Sequence, residues 1–301
     1  MKWLFMNEDK NRSKDIKDTI TEIESRWPDL KNNEIDDNPT FIFSAGWRSG
    51  STLLQRLVMS DNQTMIWGES YKHCNIIKNF SNSLKAINKD YPEERWFLSE
   101  IEKHGSVQLE DLFIANLYPE VKYFKKAHQN FLLDLLAEPA RERNYPRWGL
   151  KEVRLNVDDA IYLKWLFPKA KFLFLYRNPY KAYISLRAHF LSRAWTLYEM
   201  WPTMSIRTPH GYGSFWARIV EDYINRAHEV DGLIVKYEDL CSGQFPIEKL
   251  EEYLDINISK KVLIAKIGQT ENKEGMTRSE LLVLQKALNP LAEKLGYQPI
   301  R

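Results

Sequence analysis

The sequence predicts an α/β fold, a central parallel β-sheet flanked by helices in three layers, with a helical insertion. Three observations carry this expectation. Apolar strand-like runs alternate with amphipathic helical patterns along the chain. Phe41-Ile42-Phe43 stops at Gly46 and runs through a small polar turn into the helical pattern Leu53, Leu54, Leu57, Val58. Lys171 to Tyr176, KFLFLY, is a run fit for a strand buried on both faces, and Arg177-Asn178-Pro179 punctuates it before another helix.

Taken in order, residues 10 to 26 carry a charged helical pattern with Ile16, Ile20 and Ile23 on one side, and Trp27-Pro28 ends it. Residues 1–38 are therefore expected to form an N-terminal helical arm, and 39–301 one domain. Thr64 to Trp67 reads as a short strand closing on Gly68-Glu69, with a helix through Ile76, Ile77 and Phe80 after it. Residues 81–140 read as the insertion, with helices expected at 107–116 and 120–137. Arg147 to Leu150 is expected to be a strand leading to Lys151, followed by a helix from Val157 to Leu166. The aromatic stretch about 187–214, with Trp195, Tyr198, Trp201, Pro209, Gly211, Tyr212 and Gly213, reads as a lid-like loop. A helix from about Phe215 to His228, a strand at Leu233 to Val235 and a single amphipathic helix from Ser279 to Leu295 complete the expectation.

Composition narrows the function classes. The chain has 301 residues, 44% of them hydrophobic and 28% charged, as in ordinary globular proteins. Its 43 basic and 41 acidic residues leave a net charge of +2, so no global field argues for nucleic acid or an anionic membrane as partner. Cys74 and Cys241 are too few for a disulfide framework and lack metal-ligand spacing, as do the histidines. Trp3-Leu4-Phe5-Met6 is too short for a signal segment and no apolar run approaches a membrane span, so a cytoplasmic location is expected.

Two constellations carry chemistry. A strand, tight loop and helix N-terminus at Pro39 to Leu54 offer several backbone N–H groups and the positive end of a helix dipole to one anion, with side-chain donors from Arg48, Ser49, Ser51 and Thr52. A nucleotide triphosphatase loop would need G-x-x-x-x-G-K-[ST]; here three residues separate Gly46 from Gly50 and no Lys follows. The second constellation is Arg177 at the end of the strongest strand with Ser185 two turns into the next helix, a fork and a hydroxyl suited to another phosphate. Each has an ordinary alternative, a Gly/Ser turn in one case and a strand-end Arg paired with a surface carboxylate in the other. Glu69, just past a strand, is placed in the crevice of a parallel sheet.

Together these segments resemble the sulfotransferases that use 3′-phosphoadenosine 5′-phosphosulfate (PAPS). GWRSGSTLL looks like their 5′-phosphosulfate loop in its Arg-containing version, whereas cytosolic animal enzymes carry Lys at the position of Arg48. FLFLYRNPYKAYISL is similar to their 3′-phosphate motif, and VKYEDL to a frequent late strand ending. The order IWGE, GLKE, 3′-phosphate motif and terminal LAEKLGYQP is closest to the tyrosylprotein sulfotransferase-like branch, in a bacterial member. The resemblance spans roughly residues 40 to 300 and implies a P-loop-like fold.

It further implies a site. Arg48, Ser49, Gly50, Ser51 and Thr52 would cradle the 5′-phosphosulfate, Arg177 and Ser185 would bind the 3′-phosphate, and Tyr237 would touch the nucleotide. Lys151 would neutralise charge on the transferring group, with Arg48 beside it, and Glu69 would be the general base. No metal is implied. The Gly-rich segment that completes the 3′-phosphate site of cytosolic animal enzymes is not recognisable, and Lys273 is the candidate substitute. The implied reaction moves a sulfuryl group to a hydroxyl or amine of a small molecule, a secondary metabolite by this reading, and leaves 3′,5′-ADP (PAP). An aromatic wall from Trp195, Trp201 and Tyr212 would suit a cationic acceptor. His128 is a competing base, otherwise expected on a helix surface. A nucleotide or sugar kinase, or a non-catalytic nucleotide-binding protein, are the alternatives from other classes.

Overall fold

A computed structural model describes residues 15–32, 35–69, 71, 74–103, 110, 117–192, 206–264 and 275–299. Its centre is a parallel five-stranded sheet of order β2-β3-β1-β4-β5, made of β1 (Thr40–Ser44), β2 (Thr64–Trp67), β3 (Arg147–Glu152), β4 (Lys171–Tyr176) and β5 (Leu233–Lys236). β1 lies between β3 and β4, with Ile42 opposite Lys151 on one side and Leu173 on the other.

Alternation along the strands divides the core into two layers. Phe41, Phe43, Trp148, Phe172 and Phe174 face one layer, which receives Ile16, Ile20 and Ile23 of α1 (Ile16–Arg26). Ile42, Ile66, Leu173, Leu175 and Val235 face the other, with Leu54, Leu57 and Val58 of α2 (Ser51–Val58). Between β2 and β3 lie α3 (Ile76–Leu84), α4 (Leu98–Glu102), α5 (Val121–Leu132), a π-helical stretch Leu133–Ala137 and α6 (Glu138–Arg141). The helix expected at 107–116 lies outside the described residues apart from Glu110.

α7 (Val157–Leu166) leaves β3 and is closed by a reciprocal cap: Asn156 accepts from Asp159 N–H while Asp159 accepts from Asn156 N–H. α8 (Pro179–Ser192) follows β4, and α9 (Pro209–Arg226) precedes β5. Of the lid-like loop expected about 187–214, residues 187–192 and 209–214 are helical and 193–205 lie outside the described residues. Residues up to 192 continue α8 and α9 begins at Pro209, where Thr208 accepts from Gly211 N–H and Pro sits in the first helical turn. Gly213 is a contact residue: a Cβ there would lie 2.8 Å from Ala287 Cβ on the facing helix. Trp195, Tyr198 and Trp201 fall outside the described residues, as does Lys273.

After β5 come α10 (Tyr237–Ser242), α11 (Ile247–Leu254), α12 (Lys261–Ile264), α13 (Arg278–Leu288) and α14 (Leu291–Lys294). The single C-terminal helix expected from 279 to 295 is broken at Asn289-Pro290, because proline has no N–H to continue the ladder. Of its expected apolar face, Leu284 and Leu288 are buried and Leu282 is exposed. Among the described residues no helix is long and apolar enough to cross a membrane.

Candidate active site

The chain leaves β1 towards the β2 edge, and the connection from β3 passes over β1 to β4, so the strand order reverses at β1. Ligands of open parallel sheets bind at such a point, beyond the carboxyl ends of the strands. Arg48, Glu69, Lys151, Arg177, Ser185 and Tyr237, all singled out in the sequence, gather there. Gly46, Arg48 and Gly50 have φ of 89°, 64° and 94°, left-handed values at alternate positions, a backbone pattern suited to an anion-binding concavity. Arg48 is not glycine, and its backbone is held by Arg177, whose Nη1 donates to the Arg48 carbonyl at 2.8 Å.

The donors of this loop are not equivalent. Ser49 is buried, its Oγ donating to the Gly46 carbonyl at 2.6 Å and sharing a hydrogen bond with Ser44 Oγ. Its hydroxyl therefore locks the turn, and what it offers the crevice is a backbone N–H. Gly50 caps α2, with Ser51 buried and Thr52 exposed in the first turn. A Cβ at Gly50 would lie 2.1 Å from the Tyr237 ring, so that ring rests directly on the loop backbone. On the same ring the Arg177 guanidinium carbon sits 4.5 Å from the centroid. Burial raises the Tyr237 hydroxyl above its usual pKa, Cys241 adds to this, and the Arg177 charge opposes it.

At the other end of the crevice Glu69, past β2, meets Lys151 of β3. Lys151 Nζ donates to Glu69 Oε1 at 2.6 Å, the two side chains being 8% and 16% exposed. Trp47 Nε1 donates to the second oxygen, Oε2, at 2.7 Å. A helix cap is an alternative use of an acid at this position, but the first α-helix described after Glu69 starts at Ile76, with Asn75 as its cap. β3 extends through Lys151 and Glu152, beyond the strand expected to end at Leu150. This puts Lys151 on a rigid element.

At β4, Arg177 Nη1 is satisfied by the loop, while Nε is buried without a hydrogen-bond partner among the described residues. A buried cationic donor of this kind is what an anion bound at the strand end would satisfy. Its surroundings are braced by residues the sequence reading did not use. Trp216 Nε1 donates to the Arg177 carbonyl at 3.2 Å. Glu238 accepts from Asn178 N–H at 2.9 Å and from the Tyr297 hydroxyl at 2.9 Å. Glu238 and Tyr297 lie within the VKYEDL and LGYQP segments, so the motifs carried the signal although the residues were not singled out.

Two expectations change. His128 is buried rather than on a helix surface, its ring 4.7 Å from Phe80 and 4.2 Å from Phe124, and it shares a 2.9 Å hydrogen bond with Tyr162. Burial lowers its pKa to about 4. It belongs to the helix layer, not the crevice. Tyr212 is also fully buried, its ring 5.1 Å from Tyr183, and so it walls no open pocket.

The sulfotransferase family model matches residues 39–259. No curated protein matches the chain by sequence. Similar solved structures include the sulfotransferase domain from the curacin biosynthetic pathway, at 15% identity over 88% of this chain and 99% of that chain with a TM-score of 0.46. The sulfotransferase domain of the Synechococcus PCC 7002 olefin synthase aligns at 15% identity over 90% and 87%, TM-score 0.41. Mouse sulfotransferase SULT7A1 complexed with PAP aligns at 12% identity over 81% and 68%, TM-score 0.36. At these scores the structural likenesses add nothing to what the family match establishes.

Proposed function

Because that match covers most of the chain, the protein belongs to the sulfotransferase family, and we propose that it transfers a sulfuryl group from PAPS to a hydroxyl or amine of a small-molecule acceptor. The observation that carries the mechanistic reading is the Lys151–Glu69 contact of 2.6 Å beside the anion loop. It supports a reading in which a base and a cation serve one reacting centre. The kinase alternative has neither the loop lysine it would need nor a place in this family. The orphaned Arg177 Nε and the ring of Tyr237 over Gly50 fit a 3′-phosphorylated nucleotide.

When bound, the donor would supply an activated sulfuryl group on a phosphate leaving group. Everything else is positioning and electrostatics from the chain, as in phosphoryl transfer, which serves as an analogy. The loop donors of Arg48, Ser49, Gly50, Ser51 and Thr52 would hold the 5′ end, and Arg177 with Ser185 the 3′-phosphate. Glu69 would take the acceptor's proton as its oxygen or nitrogen attacks. A protonated carboxyl no longer holds Lys151 by charge. The ammonium is then available to the negative charge that grows on the departing phosphate oxygen, at the moment it is needed.

The acceptor we propose is a polar small metabolite, cationic in the preferred reading, taken up in a cytoplasmic setting without nucleic acid or membrane as partner. The test is sulfuryl transfer from radiolabelled PAPS across a panel of cationic, neutral and anionic acceptors in the presence of a chelator. Metal-independent labelling of an acceptor supports the proposal. Tight 3′,5′-ADP binding with no labelling across the panel would favour a non-catalytic nucleotide-binding protein.

A further inference from the structure

We propose that Trp47 is a positioning residue that ties the orientation of Glu69 to the conformation of the anion loop. This rests on the assignment of Glu69 as base. The carboxylate has two oxygens and each is held by a different donor: Lys151 Nζ on Oε1 at 2.6 Å and Trp47 Nε1 on Oε2 at 2.7 Å. Two contacts on opposite oxygens fix the rotation of the carboxylate plane as well as its position. The donors differ in kind. A lysine can exchange protons and carries charge, whereas the indole N–H only donates, so it orients the base without competing for the acceptor's proton.

The placement of Trp47 follows from the loop. It stands between Gly46, φ 89°, and Arg48, φ 64°, so two left-handed residues set the direction in which its side chain leaves the backbone. The ring also packs against the core layer that contains Phe43, which limits its rotation. Arg48, the next residue, is bonded through its carbonyl to Arg177 and through Nε to Ser185. One short loop therefore touches the base through residue 47 and the residues of the second phosphate site through residue 48. Glu69 is held in its working orientation when the loop has its anion-binding shape, and a loop that loses that shape releases the base.

The experiment is a double-mutant cycle of Trp47→Phe and Glu69→Gln, read as kcat, KM for the donor and affinity for 3′,5′-ADP. Phe keeps an aromatic ring in the core contact and deletes the N–H. Trp47→Phe is expected to lower kcat about tenfold, the scale of one lost bond to a charged group, with donor KM and 3′,5′-ADP affinity within about twofold of the parent. In the Glu69→Gln background the same change is expected to cost nothing further, since no base remains to be oriented. Parent-like kcat for Trp47→Phe, or an undiminished loss on top of Glu69→Gln, overturns the proposal. Loss of 3′,5′-ADP affinity in Trp47→Phe overturns it as well, by making Trp47 a support of the loop alone. If Glu69→Gln itself turns over like the parent, the base assignment falls and this inference falls with it, a result separable from the others by that single variant.

Discussion

Arg48 Nε donates to Ser185 Oγ at 2.9 Å, across 137 positions of sequence. With Arg177 Nη1 bonded to the Arg48 carbonyl, the loop after β1 and the helix after β4 are a single unit. The groups read as separate phosphate and sulfate contacts are thus held against each other in advance. Such preorganisation lowers the ordering cost of binding an anion there.

Arg177→Ala should weaken binding of 3′,5′-ADP by about 2–3 kcal/mol and binding of its 3′-dephosphorylated analogue far less, because charge-assisted contacts to one phosphate are lost. Ser185→Ala should act in the same direction and more weakly. Calorimetry with both nucleotides checks this, and equal losses for the two would place Arg177 away from the 3′-phosphate.

Gly50→Ala would force a Cβ to within 2.1 Å of the Tyr237 ring at a backbone φ of 94°. The strain is expected to cost about 1–3 kcal/mol of stability, and displacement of the ring to reduce nucleotide affinity as well. A melting temperature and a 3′,5′-ADP affinity both equal to those of the parent would contradict this packing.

His128 gives a pH dependence with a definite sign. Its pKa falls from 6.5 to about 4 because burial disfavours the charged ring. The unfolded chain binds a proton below the higher value, and the folded chain does so only below the lower. The contribution is fully present above pH 6.5 and is lost as pH falls towards 4, by up to about 3 kcal/mol. Urea unfolding across that range should show a shallower loss for His128→Gln, which keeps a polar partner for Tyr162 and does not titrate. Identical pH slopes in the two proteins would contradict the assignment.

Lys151→Ala should lower turnover while leaving 3′,5′-ADP affinity nearly unchanged, if its ammonium acts on charge that develops during transfer. Single-turnover kinetics together with product binding separate the cases. A large loss of product affinity at unchanged turnover would make Lys151 a ground-state nucleotide ligand.

What was legible in the sequence followed local pattern. Phe172 to Leu175 announced a strand buried on both faces, and the Gly46–Leu54 junction announced a strand, turn and helix, because neighbouring residues alone determine those features. The contact of Glu69 with Lys151 needed the strand order, since it exists only because β2 pairs with β3 although a long insertion separates them. Trp47 was missed for the same reason, as its partner is visible only once the loop is folded. Pro209, Gly211 and Gly213 looked like loop residues, yet the proline starts α9 and Gly213 admits a facing helix. The first role rests on the local Thr208 cap, the second on packing against a distant segment.

The central claim is that Glu69 removes the acceptor's proton, and the most direct measurement is kcat of Glu69→Gln alongside its affinity for 3′,5′-ADP. Gln keeps the size of the side chain and one oxygen, enough for one of the two donors Lys151 and Trp47, but accepts no proton at neutral pH. The expected result is a fall in kcat of about two orders of magnitude or more, with nucleotide affinity and melting temperature close to the parent's. Turnover within a few-fold of the parent on the same acceptor would contradict the account and place the base elsewhere.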